Sequence, residues 1–257
     1  MLLCLNLNIF RCYLYMKNYQ DVINDRFDSE IDNNNSIYSP NHPIGKYVRK
    51  ILFNGLNIFL LEYSQKHGAL NTKKILDVGC GDGGMLDFFI SSGFSSQKLT
   101  GIDLSINRIK RAQKQFNEVE FILADITTLN LNGKKYDLVT AFDLFSHLTS
   151  KEQILNSLSN VYNHLEDDGL FLWYDIYSKD HFSPAKHADS WGFSKEQMIG
   201  LSEESGFEMV HYKTFFKNFF NRYHSIYQVK RLTPGLVNIL EAILPGMPGN
   251  IMIVFTK

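Results

Sequence analysis

Residues 74–86, Lys-Ile-Leu-Asp-Val-Gly-Cys-Gly-Asp-Gly-Gly-Met-Leu, constrain the fold more than any other stretch of the chain. A short apolar run ends in an acid, four glycines (Gly79, Gly81, Gly83 and Gly84) fall within six positions, and an apolar segment resumes. This reads as a buried strand turning sharply into a helix. The turn is stripped of side chains so that a ligand can approach the backbone.

Downstream of that turn, strand and helix patterns alternate. Apolar β-rich runs at 98–103, 119–123, 136–142, 170–174, 208–215 and 250–256 read as strands. Helices are expected at 85–90 and 106–116. Two more follow capping boxes, Ser150-Lys151-Glu152-Gln153 running to His164 and Ser194-Lys195-Glu196-Gln197 running to Gly206. A further helix at 236–244 is stopped by Pro245 and Pro248. Such alternation predicts an α/β domain with a mostly parallel sheet covered on both faces.

Upstream, Tyr47, Val48, Ile51, Leu52, Leu56, Phe59, Leu60 and Tyr63 recur at helical spacing, and Gly68 ends the pattern. Residues 17–70 therefore read as a partly helical N-terminal cap before a domain over 71–257. Residues 1–16 are apolar but interrupted by Asn6 and Asn8, too short to span a bilayer, and read as a tail or upstream readthrough. Met16-Lys17 looks like an ordinary cytoplasmic start. A formal charge of −1 gives no electrostatic case for nucleic acid or an anionic membrane. Cys4, Cys12 and Cys80 have no metal or disulfide spacing, which fits a reducing, cytoplasmic setting and no metal.

Right-handed crossovers bring the C-terminal ends of parallel strands to one edge, where ligands bind in such sheets. The predicted strands end at or next to Asp77, Asp103, Asp125, Asp143 and Asp175. A single acid there is explained by helix capping. Five in succession point to a site.

Gly79-x-Gly81-x-x-Gly84 satisfies the dinucleotide fingerprint, and Asp103 stands where a ribose-binding acid belongs, so the bare motif fits NAD(P) or another nucleoside cofactor. Charge separates them. Asp77 and Asp82 flank the turn, and no Lys or Arg lies between Ile75 and Lys98. A pyrophosphate set against such acids would meet a like-charge cost of roughly 4 kcal/mol. A ligand carrying an ammonium and a sulfonium removes the conflict, and the bare loop N–H groups can still serve its carboxylate.

Residues 73–257 resemble the class I S-adenosylmethionine-dependent methyltransferases. Ile75-Leu76-Asp77-Val78-Gly79-Cys80-Gly81-Asp82-Gly83 looks like the first motif of that family. Gly101-Ile102-Asp103-Leu104-Ser105 looks like the second, whose acid binds ribose hydroxyls. Ala124-Asp125-Ile126 resembles the third, whose acid accepts from the adenine amino group. Tyr136–Phe142 followed by Asp143 and His147 resembles the fourth, and 165–170 looks like the turn before strand five. The resemblance implies a Rossmann-like, seven-stranded, mostly parallel sheet with the last strand antiparallel, preceded by a helical extension. It implies S-adenosyl-L-methionine as cofactor, held by Asp77, Gly79, Cys80, Gly81, Gly83, Asp103, Leu104, Asp125, Ile126 and Phe142.

Methyl transfer is a direct displacement, so alignment supplies much of the catalysis and a base serves chiefly hydroxyl acceptors. His147 is the preferred base, with Asp143 and Asp175 as alternatives. Phe142, Trp173 and Tyr174 either line the methyl site or are core. Segments 176–193 and 217–249 leave the ligand edge and are expected to form a lid with the N-terminal helix over a small-molecule or glycan acceptor methylated on oxygen or nitrogen. Lys217, Arg222, His224, Lys230 and Arg231 read as an amphipathic surface or as a receiver for a phosphorylated or carboxylated acceptor. Two rivals stand: an NAD(P)-dependent oxidoreductase, and a non-methylating cyclase or regulatory protein on the same fold.

Overall fold

The computed structural model describes residues 43–148, 150–179, 183–184, 191–217, 234–243 and 246–257. The tail at 1–16 and most of the central part of each expected lid lie outside them, as do Arg222, His224, Lys230 and Arg231.

Helix α1 (Pro43–His67) precedes strand β1 (Ile75–Val78), helix α2 (Gly84–Ser91) and β2 (Leu99–Asp103). The chain continues through α3 (Ile106–Gln115), β3 (Glu120–Leu123), β4 (Tyr136–Phe142), α4 (Lys151–His164) and β5 (Leu165–Ile176). A small hairpin, β6 (Ser183–Pro184) with β7 (Trp191–Gly192), leads to α5 (Lys195–Glu204), β8 (Glu208–Lys217), α6 (Pro234–Ile243) and β9 (Pro248–Thr256). Seven strands form one sheet in the order β3-β2-β1-β4-β5-β9-β8. Strands β3, β2, β1, β4 and β5 pair in parallel, and β9 is antiparallel to both neighbours. Strand β8 therefore runs in the same direction as β5, and its C-terminus reaches the same edge.

Side chains alternate across the sheet with the strand period of two. Leu76, Val78, Val139, Phe171, Trp173 and Ile253 face a core shared with α4 and α5. Ile75, Leu138, Leu172, Tyr174 and Val254 face the opposite core, shared with α1, α2 and α3. Leu52, Leu56, Leu60 and Tyr63 of α1 belong to that second core. The N-terminal helix is therefore part of the domain's own packing. Gly55 lets it approach closely, since a Cβ there would lie 2.7 Å from the Phe215 ring.

Both serines cap the expected helix starts: Ser150 Oγ accepts from Gln153 N–H and Ser194 Oγ from Gln197 N–H. One local expectation is corrected. Residues 165–170 are not a turn ahead of strand five but lie within β5. Leu165 pairs with Tyr136 and Leu170 with Leu138, so the intervening residues bulge out of register. Gly169 is required because a Cβ there would sit 2.9 Å from the Glu166 carbonyl oxygen.

Candidate functional site

Strand register sets the level of the site. Val78 pairs with Ile102 on one side and Ala141 on the other, so β1, β2 and β4 end together. Asp103 pairs with Leu123, and Phe142 with Tyr174. The acids that end these strands are thus collected along one edge, as the sequence predicts.

The glycine loop adopts left-handed backbone at alternate positions, with φ of 73° at Gly79, 55° at Gly81 and 87° at Gly83. A Cβ on Gly79 would come within 3.0 Å of Leu144, and one on Gly83 within 2.7 Å of the Phe116 ring. Gly84 is different. It starts α2 with ordinary helical geometry, and a Cβ there would meet nothing within 4 Å. The dinucleotide fingerprint needs its third glycine for close helix–strand packing. That need is absent here, and the spacing the backbone uses is Gly79-x-Gly81-x-Gly83.

Two expectations about the loop are corrected. The Asp82 carboxylate is not unopposed, because Arg111 of α3 pairs with it at 2.8 Å. The guanidinium of Arg108 would lie 3.2 Å from a Cβ on Gly81. Sequence distance concealed both cations, which the α3 helix folds back onto the loop. Nor are the loop amides bare. Gly79 and Cys80 N–H groups donate to Ile102 O at 2.8 and 2.9 Å, and Gly83 N–H donates to Cys80 O. Gly81 N–H donates to Asp103 Oδ2 at 2.9 Å. The first amide bonded back to the helix start is that of Asp87, which donates to Gly83 O at 2.9 Å.

Asp103 thus clamps the loop as well as ending β2, since its Oδ1 also accepts from Ser105 N–H at 2.8 Å. Asp125 Oδ1 accepts from the N–H and hydroxyl of Thr127, both at 2.8 Å. Its second oxygen accepts nothing among the described residues. Leu104 is half-buried beside this edge and Ile126 is buried in the core. Cys80 is buried with its thiol pushed up by burial and by Asp77, so it is a packing residue lying against Gly101.

Asp77 is buried and accepts from the Thr140 hydroxyl at 2.7 Å. Burial raises its pKa to about 7, with the Thr140 bond opposing the shift and Asp103 adding to it. A carboxyl held so close to neutrality beneath a backbone cradle favours a cationic partner.

The segment after β4 crosses over the loop through Leu144. Asp143 has φ of 49°, and its N–H donates to Tyr174 O at 2.9 Å. Its Oδ1 accepts from Asn250 Nδ2 at 3.2 Å. Asp175 is fully buried; its Oδ2 accepts from Ser146 N–H at 2.9 Å and its Oδ1 from Ile176 N–H at 2.8 Å. That anchors the short turn Phe145–His147, on which His147 sits half-buried. Desolvation and the adjacent Asp175 carboxylate raise the Asp143 pKa. Asp143 still reaches solvent, so like-charge repulsion is the cause that persists in an open cleft. Phe142 and Tyr174 lie tilted against each other at 5.8 Å; Tyr174 and Trp173 are buried in opposite cores, and Phe142 is partly open. Thr140, Arg108, Arg111 and Asn250 carry no motif and were not visible in the sequence.

Sheet order and glycine loop together have the arrangement of the Rossmann-like methyltransferase fold. Residues 75–169 match the family model described as a methyltransferase domain. An inferred methyltransferase of Geobacillus sp. (strain WCH70) is 29% identical over 143 residues, covering 53% of this chain and 56% of its own. Phosphoethanolamine N-methyltransferase 1 of Triticum aestivum is 30% identical over 160 residues, covering 61% of this chain but 29% of its own. The match therefore spans about half of the first relative and under a third of the second. Among solved structures, magnesium protoporphyrin IX methyltransferase from Synechocystis PCC 6803 superposes with a TM-score of 0.62 at 14% identity. That alignment covers 94% of this chain and 100% of the other, and it establishes the fold. Among the described residues, no helix is long and apolar enough to cross a membrane.

Proposed function

We propose that the chain binds S-adenosylmethionine over the glycine loop and transfers its methyl group to oxygen or nitrogen of a small-molecule acceptor. The observation that carries this reading is the buried Asp77 carboxyl beneath a loop whose glycines 79, 81 and 83 alone require left-handed backbone. That arrangement suits a compact cationic ligand better than a pyrophosphate. When bound, the cofactor supplies an electrophilic methyl on a positively charged sulfur.

In this reading Asp77 balances the cofactor's ammonium charge. Asp103 holds the loop and keeps a lone pair on each oxygen for ribose hydroxyls. Asp125 offers its second oxygen to the adenine amine, flanked by Leu104 and Ile126. Phe142 borders the reacting atoms. Asp143, accessible and with a raised pKa, is favoured as the proton acceptor. His147 is the second candidate, while Asp175 acts as a positioning residue through the Phe145–His147 turn. The acceptor's kinship with the amine named for the wheat relative is a class to test first.

Calorimetry with S-adenosylhomocysteine and with NAD decides the cofactor. Micromolar binding of the first and none of the second is expected. The reverse result sinks the proposal. Incubation with labelled cofactor and candidate acceptors then separates methyl transfer from the cyclase or regulatory alternative, which predicts cofactor binding without labelled product.

A further inference from the structure

On the same sheet edge, about 460 Å³ of space lies between the end of β8, the start of β9 and α6. Its walls include Phe215, Phe216, Lys217, Glu241, Ala242 and Pro248. Glu241 is 6% exposed. One carboxylate oxygen, Oε2, accepts the Lys217 backbone N–H. The other, Oε1, is buried and has no hydrogen-bond partner among the described residues. Leaving a buried carboxylate oxygen unpaired is unfavourable, and native structures rarely do so without a reason.

The strands that line the cavity also reach Asp143. Asn250, two residues after Pro248 on β9, pairs with both Ile176 and Phe215 in the sheet and donates to Asp143. Burial and then the Glu241 charge raise the Tyr47 pKa, so α1 lies near this acid. Burial raises the Glu241 pKa, and the Lys217 N–H and charge oppose that shift.

We propose that this cavity seats a protonated amine of the methyl acceptor, its ammonium donating to Glu241 Oε1 and its carbon skeleton lying against Phe215, Phe216 and Pro248. The inference rests on the methyltransferase reading and names the acceptor class for it. A charged donor is favoured over a hydroxyl because hydrogen bonds between ionised partners are about twice as strong as neutral ones. Aromatic faces beside the carboxylate also attract cations. Phe215 already carries one, with Lys213 Nζ 5.6 Å from its ring centroid. Of the basic residues read as an amphipathic surface or an anionic receiver, Lys217 lies among the described residues, where it lines the cavity together with the buried acid.

The test uses the full chain and two isosteric pairs, phenethylamine with phenethyl alcohol and cyclohexylamine with cyclohexanol. Each is titrated with and without S-adenosylhomocysteine. Glu241→Gln keeps an oxygen for the Lys217 N–H but removes the charge, and its thermal unfolding is recorded alongside. At least one amine is expected to bind roughly tenfold or more tightly than its alcohol. That preference should vanish in Glu241→Gln while S-adenosylhomocysteine affinity stays unchanged. Equal affinity within both pairs, no binding by either amine, or a preference retained in a folded Glu241→Gln protein would overturn the subsite. Absence of S-adenosylhomocysteine binding to the native chain would overturn the cofactor reading instead, and the titrations without it keep the two failures apart.

Discussion

Gly83 and Gly84 are neighbours in sequence and opposites in structure. Gly83 caps α2 at φ of 87° with Phe116 against its missing Cβ, whereas Gly84 faces open space. Gly83→Ala should cost about 1–2 kcal/mol from left-handed strain alone, with more from the Phe116 overlap. Gly84→Ala should stay within about 0.5 kcal/mol of the native chain. Urea unfolding of the two variants checks this; equal losses would restore the dinucleotide spacing. At Asp143, asparagine keeps the left-handed backbone and an oxygen for Asn250, so the fold should survive the change. Asp143→Asn should lower turnover about a hundredfold while S-adenosylhomocysteine affinity is unchanged. If His147→Ala produces that loss and Asp143→Asn does not, the histidine is the base.

Among elements, the turn after β4 depends on a residue from the neighbouring strand. Asp175 accepts backbone N–H groups from Ser146 and Ile176 in a fully buried setting. Asp175→Ala leaves both donors unpaired and should cost about 2–4 kcal/mol. Faster amide exchange at Ser146 and Ile176, with the α3 amides unaffected, would locate the loss at that turn; uniform exchange throughout would contradict the anchoring role. The same logic explains which element boundaries could be read in advance. Ser150 and Ser194 announced their helices through local capping chemistry, whereas the β5 bulge depends on pairing with Tyr136, which local sequence does not contain.

For the whole molecule, burial raises the folded pKa values of Asp77, to about 7, and Asp175, and desolvation together with the Asp175 charge raises that of Asp143. Acids of this kind hold protons that the unfolded chain has already released. Their contribution to stability is full below the unfolded carboxylate range and is lost as pH rises through the folded values. The cofactor-free protein should therefore melt at a lower temperature at about pH 8 than at about pH 5. A cation at Asp77 favours the ionised form, so S-adenosylhomocysteine should raise Tm more at the higher pH. Thermal scans at both pH values, with and without ligand, check both signs; a Tm that rises with pH would contradict them.

The sequence alone determined the parallel α/β sheet, the strand-to-helix glycine turn, the row of acids along one edge and the amphipathic α1, because period, capping and turn chemistry act over a few residues. Tertiary structure alone decided that α1 shares a core with the sheet and that Arg108 and Arg111 reach the glycine loop. It also decided that the loop amides are already bonded, and that Glu241 lies buried beside β8. Each of those joins residues far apart in the chain. Their energies depend on desolvation and close contact, which exist only once the sheet and its helices have packed.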